Sequence, residues 1–299
     1  MSDITTRRFA LPTGVELDVA IAGDAANDAI IFLHGFPESH RTWRHQLAAL
    51  ADDFHVIAPD QRGFAASSKP PALGDYSPDK PVADLIALAD TLGIERFTLV
   101  GHDWGGAIAW MAALAHPDRI ARLVIVNAPH PFIFQKTLFD DMGQRAASQY
   151  ITAFRNPGLE MFIDSIGMEK FFDTTFEKHA DLAKVGAEKA VYLEQWSQPG
   201  AMTAMLNWYR ASAIIVPGMD ETPERPAFLS APFPPVTMPT LVIWGMEDKA
   251  LLPSQLDGLE ALVPQLTITK VDAGHFVPWE NPEAVTNAIR AFLAAPVPA

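Results

Sequence analysis

The chain has 299 residues, 49% hydrophobic and 19% charged, with a net charge of −14 and no cysteine. That length is long for one compact domain and leaves room for an inserted subdomain, and the composition suits a soluble globular enzyme. The acidic balance argues against nucleic acid, whose binding needs Lys and Arg to displace counterions. The missing cysteines exclude disulfides, thiolate metal sites and a cysteine nucleophile. Behind the charges of Met1 to Arg8 there is no apolar stretch, so no signal peptide is expected. No apolar run approaches the ~18 residues of a membrane span, so a cytoplasmic protein with no membrane partner is expected.

Arg8–Pro12 and Val15–Ile21 flank Thr13-Gly14 and predict a hairpin at a sheet edge. Ala29–Leu33 is a continuous apolar run, the mark of a strand covered on both faces, and it ends at His34-Gly35-Phe36-Pro37-Glu38. A helix is expected from Trp43 to Leu50, then a buried strand from Phe54 to Ala58. A Pro- and Ser-rich loop, Ser67–Pro81, leads to a helix, Val82–Leu92, with Gly93 placed to cap it. Phe97–Val100 predicts another buried strand and Gly105–Ala115 a buried helix. Between them lies Gly101-His102-Asp103-Trp104-Gly105, the layout of a nucleophile elbow with aspartate in place of serine. Its two glycines fit a turn too tight for a Cβ. Arg122–Val126 is the next strand and ends at Asn127-Ala128-Pro129-His130-Pro131.

Strand and helix alternate up to this point, which implies parallel strands with helices on both faces. Ligands bind outside the carboxyl ends of such strands. His34, Asp60, Asp103 and Asn127 all follow strand ends. From Phe132 to Pro235 the rhythm breaks into helix-like stretches rich in Phe, Met and Trp, clearest at Met161–Phe172, Ala180–Gln195 and Met202–Ala211. The expected division is therefore a core in 1–131 and 236–299 with a helical cap in 132–235. The sheet resumes with Thr240–Trp244, and a helix (Pro253–Leu262), a strand (Leu266–Val271) and a last helix (Pro282–Leu293) complete it.

An elbow nucleophile needs an acid and then a histidine, in that chain order. Asp248 follows the strand 240–244, with Glu247 beside it as a possible substitute, and His275 follows the strand 266–271. A carboxylate nucleophile suits attack at saturated carbon, leaving an alkyl ester that a second step must hydrolyse. His275, oriented by Asp248, can take the proton from the attacking water. Backbone N–H groups of Trp104 and Phe36 are the expected oxyanion donors.

His34-Gly35-Phe36-Pro37-Glu38, Gly101–Gly106, Asn127–Pro131 and Gly274-His275-Phe276 resemble the signatures of epoxide hydrolases of the α/β-hydrolase fold. The segments around Tyr150 and Tyr209 resemble those carrying that family's two lid tyrosines. The resemblance spans nearly the whole chain in the family's order. It implies a sheet with an inserted cap and conversion of a small hydrophobic epoxide and water to a vicinal diol. It also implies phenols of Tyr150 and Tyr209 assisting ring opening, and a cis Phe36-Pro37 peptide. No metal or organic cofactor is implied. Phe36, Pro37 and Trp104 are expected to shape the substrate pocket together with His34, although His34 and His102 read as loop-structuring rather than catalytic. One departure stands at Ala65, where the family pattern calls for glycine. Haloalkane dehalogenases share the Asp nucleophile, but their halide-gripping Asn would fall at Phe36, which carries no side-chain donor. Haloacid dehalogenases of the fluoroacetate type place arginines where this chain has Trp104 and Ile108. A non-catalytic ligand-binding protein on this scaffold would be marked by loss of a triad member, and none is lost. The oligomeric state is not legible.

Overall fold

The computed structural model describes residues 4–177, 179–180 and 182–295. Met1 to Asp3, the start of the segment read for a signal peptide, lie outside the described residues. The hairpin forms as expected, from β1 (Thr5–Ala10) and β2 (Glu16–Ala22). Strands β3 (Ala29–Leu33), β4 (His55–Pro59), β5 (Phe97–His102), β6 (Ile120–Val126), β7 (Thr240–Gly245) and β8 (Leu266–Val271) follow. They form one eight-stranded sheet in the order β1-β2-β4-β3-β5-β6-β7-β8. The first two strands are antiparallel to their neighbours and the rest are parallel.

The continuous apolar runs have a simple cause, because both faces of the sheet are covered. Ile31, Leu33, Leu99 and Ile125 point into one core, with residues of α2 (Asp79–Thr91) and α3 (Trp104–Ala115). Their neighbours Ile30, Phe32, Val100 and Val124 point into the other, with α1 (Arg44–Leu50) and the C-terminal helix 282–294. Each fully buried side chain of this size contributes about 1.5–3 kcal/mol. β3 pairs with β4 on one side and β5 on the other. The chain thus leaves β3 in both directions across the sheet. That opens a crevice at the carboxyl ends of β3 and β5.

Several helices differ from the sequence expectation. α1 is preceded by a 3-10 turn at His40–Trp43, where the Ser39 hydroxyl accepts from the Arg41 N–H. α2 starts three residues before Val82, since Pro81 fits a first turn whose N–H groups have no helical partner. Between β6 and β7 the described residues form helices and no strand. These are α4 (Pro131–Asp140), α5 (Met142–Ala147), α6 (Gln149–Arg155), α7 (Leu159–Ile166), α8 (Met168–Phe176), α9 (Leu182–Val185), α10 (Glu188–Trp196) and α11 (Ala201–Arg210).

The single helix expected at Met161–Phe172 is thus the pair α7 and α8, interrupted at Gly167. The one expected at Ala180–Gln195 is α9 and α10, interrupted after Gly186, and residue 181 lies outside the described residues. Pro253–Leu262 forms two 3-10 turns that meet at Gly258. All three glycines take positive φ, which ends a helix, and the apolar pattern runs through them unchanged. Short α12 (Val277–Glu280), not expected, precedes α13 (Pro282–Ala294). No described helix is long and apolar enough to cross a membrane.

Candidate active site

Strand β5 delivers Asp103 to the crevice on a strained turn, φ +50° and ψ −121°. The flanking glycines are required. A Cβ on Gly101 would lie 2.4 Å from the Gly105 carbonyl oxygen, and one on Gly105 would lie 2.3 Å from that of Leu33. Such a backbone costs about 1–3 kcal/mol and persists where packing over-determines it. Here β5 and α3 supply that packing.

The two oxygens of Asp103 have different surroundings. Oδ1 accepts the backbone N–H of Phe36 at 2.7 Å, and the Trp104 N–H also bonds this carboxylate. Oδ2 faces Nε2 of His275 at 3.7 Å. The Phe36-Pro37 peptide is cis. Burial raises the Asp103 pKa, opposed by the His275 charge and by these two N–H groups.

Asp248, 3% exposed, is fully engaged. Its Oδ1 accepts from the N–H groups of Ala250 and Leu251 at 2.8 and 2.9 Å. Its Oδ2 lies 2.7 Å from Nδ1 of His275 and 2.7 Å from Nδ2 of Asn127. Glu247, the alternative acid, is exposed. Burial would raise Asp248, but the charge and hydrogen bond of His275, then Leu251 and Asn127, hold it below the usual range. Burial works to lower the His275 ring. The charge and hydrogen bond of Asp248, followed by the charge of Asp103, overcome this and lift it to about 9.

Tyr150 on α6 and Tyr209 on α11 meet edge to face, ring centroids 6.1 Å apart. Tyr209 also packs edge-on against Phe36 and Trp104, each at 5.1 Å. Burial, with the charge of Asp103 among the further causes, raises both phenols well above their ordinary value. Both are therefore neutral donors at neutral pH. Two apolar cavities meet here, of about 290 and 500 Å³. Trp104 lines the smaller, Phe36 and Pro37 the larger, and Asp103, Tyr150 and Tyr209 line both.

His34 departs from its expected place at the substrate. It is fully buried and lines neither cavity. Its Nε2 accepts the Gln61 N–H at 3.0 Å, its Nδ1 lies 2.9 Å from the Gly35 carbonyl, and burial lowers its pKa to about 4. It holds the loop that presents Phe36. His102 does comparable work, with Nε2 2.9 Å from the His275 carbonyl oxygen.

Sequence reading assigned no role to Asn127, which the structure couples to Asp248. It stands at φ +41°, bonds Asp248 with its amide, and accepts the Gly245 N–H on Oδ1 at 2.8 Å. An Asn at a strand end, in a residue type tolerant of positive φ, was the available signal. Glu38 closes the motif that begins at His34. It is 1% exposed, accepts from the Trp279 indole at 2.8 Å and the Tyr192 hydroxyl at 3.1 Å, and is raised to about 7 by burial. Among the described residues no cluster of His, Cys, Asp and Glu could hold a metal ion.

Comparison with known proteins gives a consistent picture. The family described as alpha/beta hydrolase fold matches residues 28–282. The AB hydrolase superfamily protein YfhM of Bacillus subtilis strain 168 is 34% identical, over 96% of this chain and 97% of that protein. Epoxide hydrolase A of Mycobacterium tuberculosis is 32% identical, over 96% of this chain and 97% of that protein. Among solved structures, one of the novel epoxide hydrolases of the alpha/beta hydrolases superfamily, from metagenomes of hot environments, is 48% identical. It superposes with a TM-score of 0.92, over 98% of this chain and 100% of that one.

Proposed function

Since the chain belongs to the α/β-hydrolase fold family and is one of its epoxide hydrolases, we propose that it opens epoxides in two covalent steps on Asp103. The carrying observation is the unequal pair of oxygens, one held by the Phe36 N–H at 2.7 Å and one 3.7 Å from Nε2 of His275, on a carboxylate that lines both cavities with the two phenols. Oδ2 attacks an epoxide carbon, the carbon–oxygen bond of the ring breaks, and a phenol of Tyr150 or Tyr209 gives its proton to the departing oxygen. The result is a hydroxyalkyl ester whose carbonyl oxygen, Oδ1, already accepts the Phe36 N–H, on a carboxyl group that the Trp104 N–H also bonds.

Esterification removes the negative charge of Asp103. One of the charges that lift His275 to about 9 is then gone, so its ring gives the proton it carries at rest to the phenolate and is neutral when a base is needed. Nε2 takes a proton from water, the hydroxide adds to the ester carbon, and the two N–H groups stabilise the oxyanion. Collapse expels the diol oxygen, which receives the proton from His275. The proton left on the Asp103 carboxyl passes to His275, which regains its resting charge. One epoxide and one water become one diol, and the protein is restored. In this reading the helical stretch 132–235 is a cap on a core of 1–131 and 236–299, since it supplies both phenols and much of the cavity wall.

The dehalogenase alternative lacks its grip. A halide needs two side-chain N–H donors, and of the tryptophans only Trp104 lines either cavity. The indoles of Trp196, Trp208 and Trp279 are already bonded to Pro37, Arg62 and Glu38. The test is mass spectrometry of His275→Gln with styrene oxide, with haloalkanes run beside it. One substrate mass should appear on the peptide carrying Asp103. A variant that never gains that mass sinks the two-step route.

A further inference from the structure

His275 sits on the loop between β8 and α12. A loop that carries a base must hold its own backbone, or the ring drifts from its partners. Three successive N–H groups of this loop have acceptors, and Glu280 of α12 takes two of them. Its Oε2 accepts the Gly274 N–H at 3.2 Å and its Oε1 the Phe276 N–H at 2.8 Å. The N–H of His275 itself reaches the carbonyl oxygen of His179 at 3.4 Å. One carboxylate therefore spans the histidine, bonded to the residue on either side of it.

Gly274 makes this approach possible. A Cβ there would lie 3.1 Å from each Glu280 oxygen and 2.6 Å from the His179 carbonyl oxygen. Capping α12 would need only the bond to Phe276, the residue before the helix starts. The bond to Gly274 lies beyond the histidine and serves no helix. Lys184 of α9 donates to the Glu280 carbonyl oxygen at 3.2 Å. Burial raises the Glu280 pKa, opposed first by the two N–H groups and then by the charges of His275 and Lys184.

Resting on the two-step epoxide hydrolase reading, we propose that Glu280 is a positioning residue for His275. By holding the backbone on both sides, it keeps Nδ1 on Asp248 and aims Nε2 at the water that hydrolyses the ester. Glu280 lines neither cavity, so it acts through the histidine and not on substrate. Its effect falls on the second step, because attack by Asp103 needs no base.

The test is single-turnover kinetics of the full chain with styrene oxide. Glu280→Gln keeps the size but has one acceptor oxygen, so one of the two N–H groups must face an amide N–H. Ester hydrolysis should slow about tenfold or more, the scale of a misplaced reacting group, with adduct formation within about twofold of native. Should that variant fail to fold, Glu280→Asp draws both oxygens back by a methylene and should show the same selective slowing to a smaller extent. A folded variant with native hydrolysis, or with both steps slowed equally, overturns the proposal. No adduct on either the native protein or His275→Gln would instead remove the two-step reading on which it rests.

Discussion

Nε2 of His275 stands 3.7 Å from Oδ2 of Asp103, a charge contact longer than a hydrogen bond. The two groups therefore influence each other mainly through charge. Asp103 adds to the lift that Asp248 gives the ring, and His275 works against the burial that raises Asp103.

Replacing Asp103 with Asn removes that charge and the proposed nucleophile together. Turnover should vanish, and the His275 ring, at about 9 in the native protein, should titrate at lower pH. A folded pKa raised above the unfolded ~6.5 stabilises fully below pH 6.5, and that contribution is lost as pH rises through the folded value. In Asp103→Asn that contribution should therefore be smaller, and its loss should be complete at a lower pH. NMR of the ring protons and thermal unfolding between pH 6 and 10 read both effects. An unmoved His275 titration would mean that Asp103 does not set the charge state of the ring.

In the proposed route the two phenols act on ring opening and not on ester hydrolysis. Tyr150→Phe combined with Tyr209→Phe should slow adduct formation ~10²-fold or more while leaving the hydrolysis of a preformed ester near its native rate. Single-turnover kinetics separate the steps. A native alkylation rate in the double variant would strip both residues of the role.

Asn127 is a positioning residue, acting on His275 through Asp248. Gly is the informative replacement because position 127 sits at φ +41° and Ala there would add backbone strain. Asn127→Gly should cost about 1–3 kcal/mol of stability, since the buried Gly245 N–H loses its partner. It should also raise the pKa of Asp248, because the Asn127 hydrogen bond is among the causes that hold it down. The acid limb of the kcat profile should then move to higher pH. A loss of stability with an unmoved pH profile would reduce Asn127 to a structural part.

Ala65 shows how a sequence anomaly becomes physical. The family pattern calls for glycine there, and the structure holds Ala65 at φ +43°. An L-residue in that region costs about 1–2 kcal/mol.

Asp103 and Asp248 were legible because each follows an apolar strand buried on both faces, which announces itself in sequence, and His275 because it follows the alternating, largely exposed or half-buried edge strand β8. β3 and β8 match their expected ranges residue for residue. The order of acid and histidine behind an elbow is a matter of connectivity, and connectivity is one-dimensional. What could not be read depends on which groups meet across the fold. That His34 is buried against Gln61, that Asn127 clasps Asp248 across 121 positions, and that Tyr150 and Tyr209 stand with Asp103 on the wall between two cavities are products of packing. Hydrophobic pattern and turn chemistry act between near neighbours along the chain. The shape of a cavity is the space left by side chains from many segments, so only the folded chain decides it.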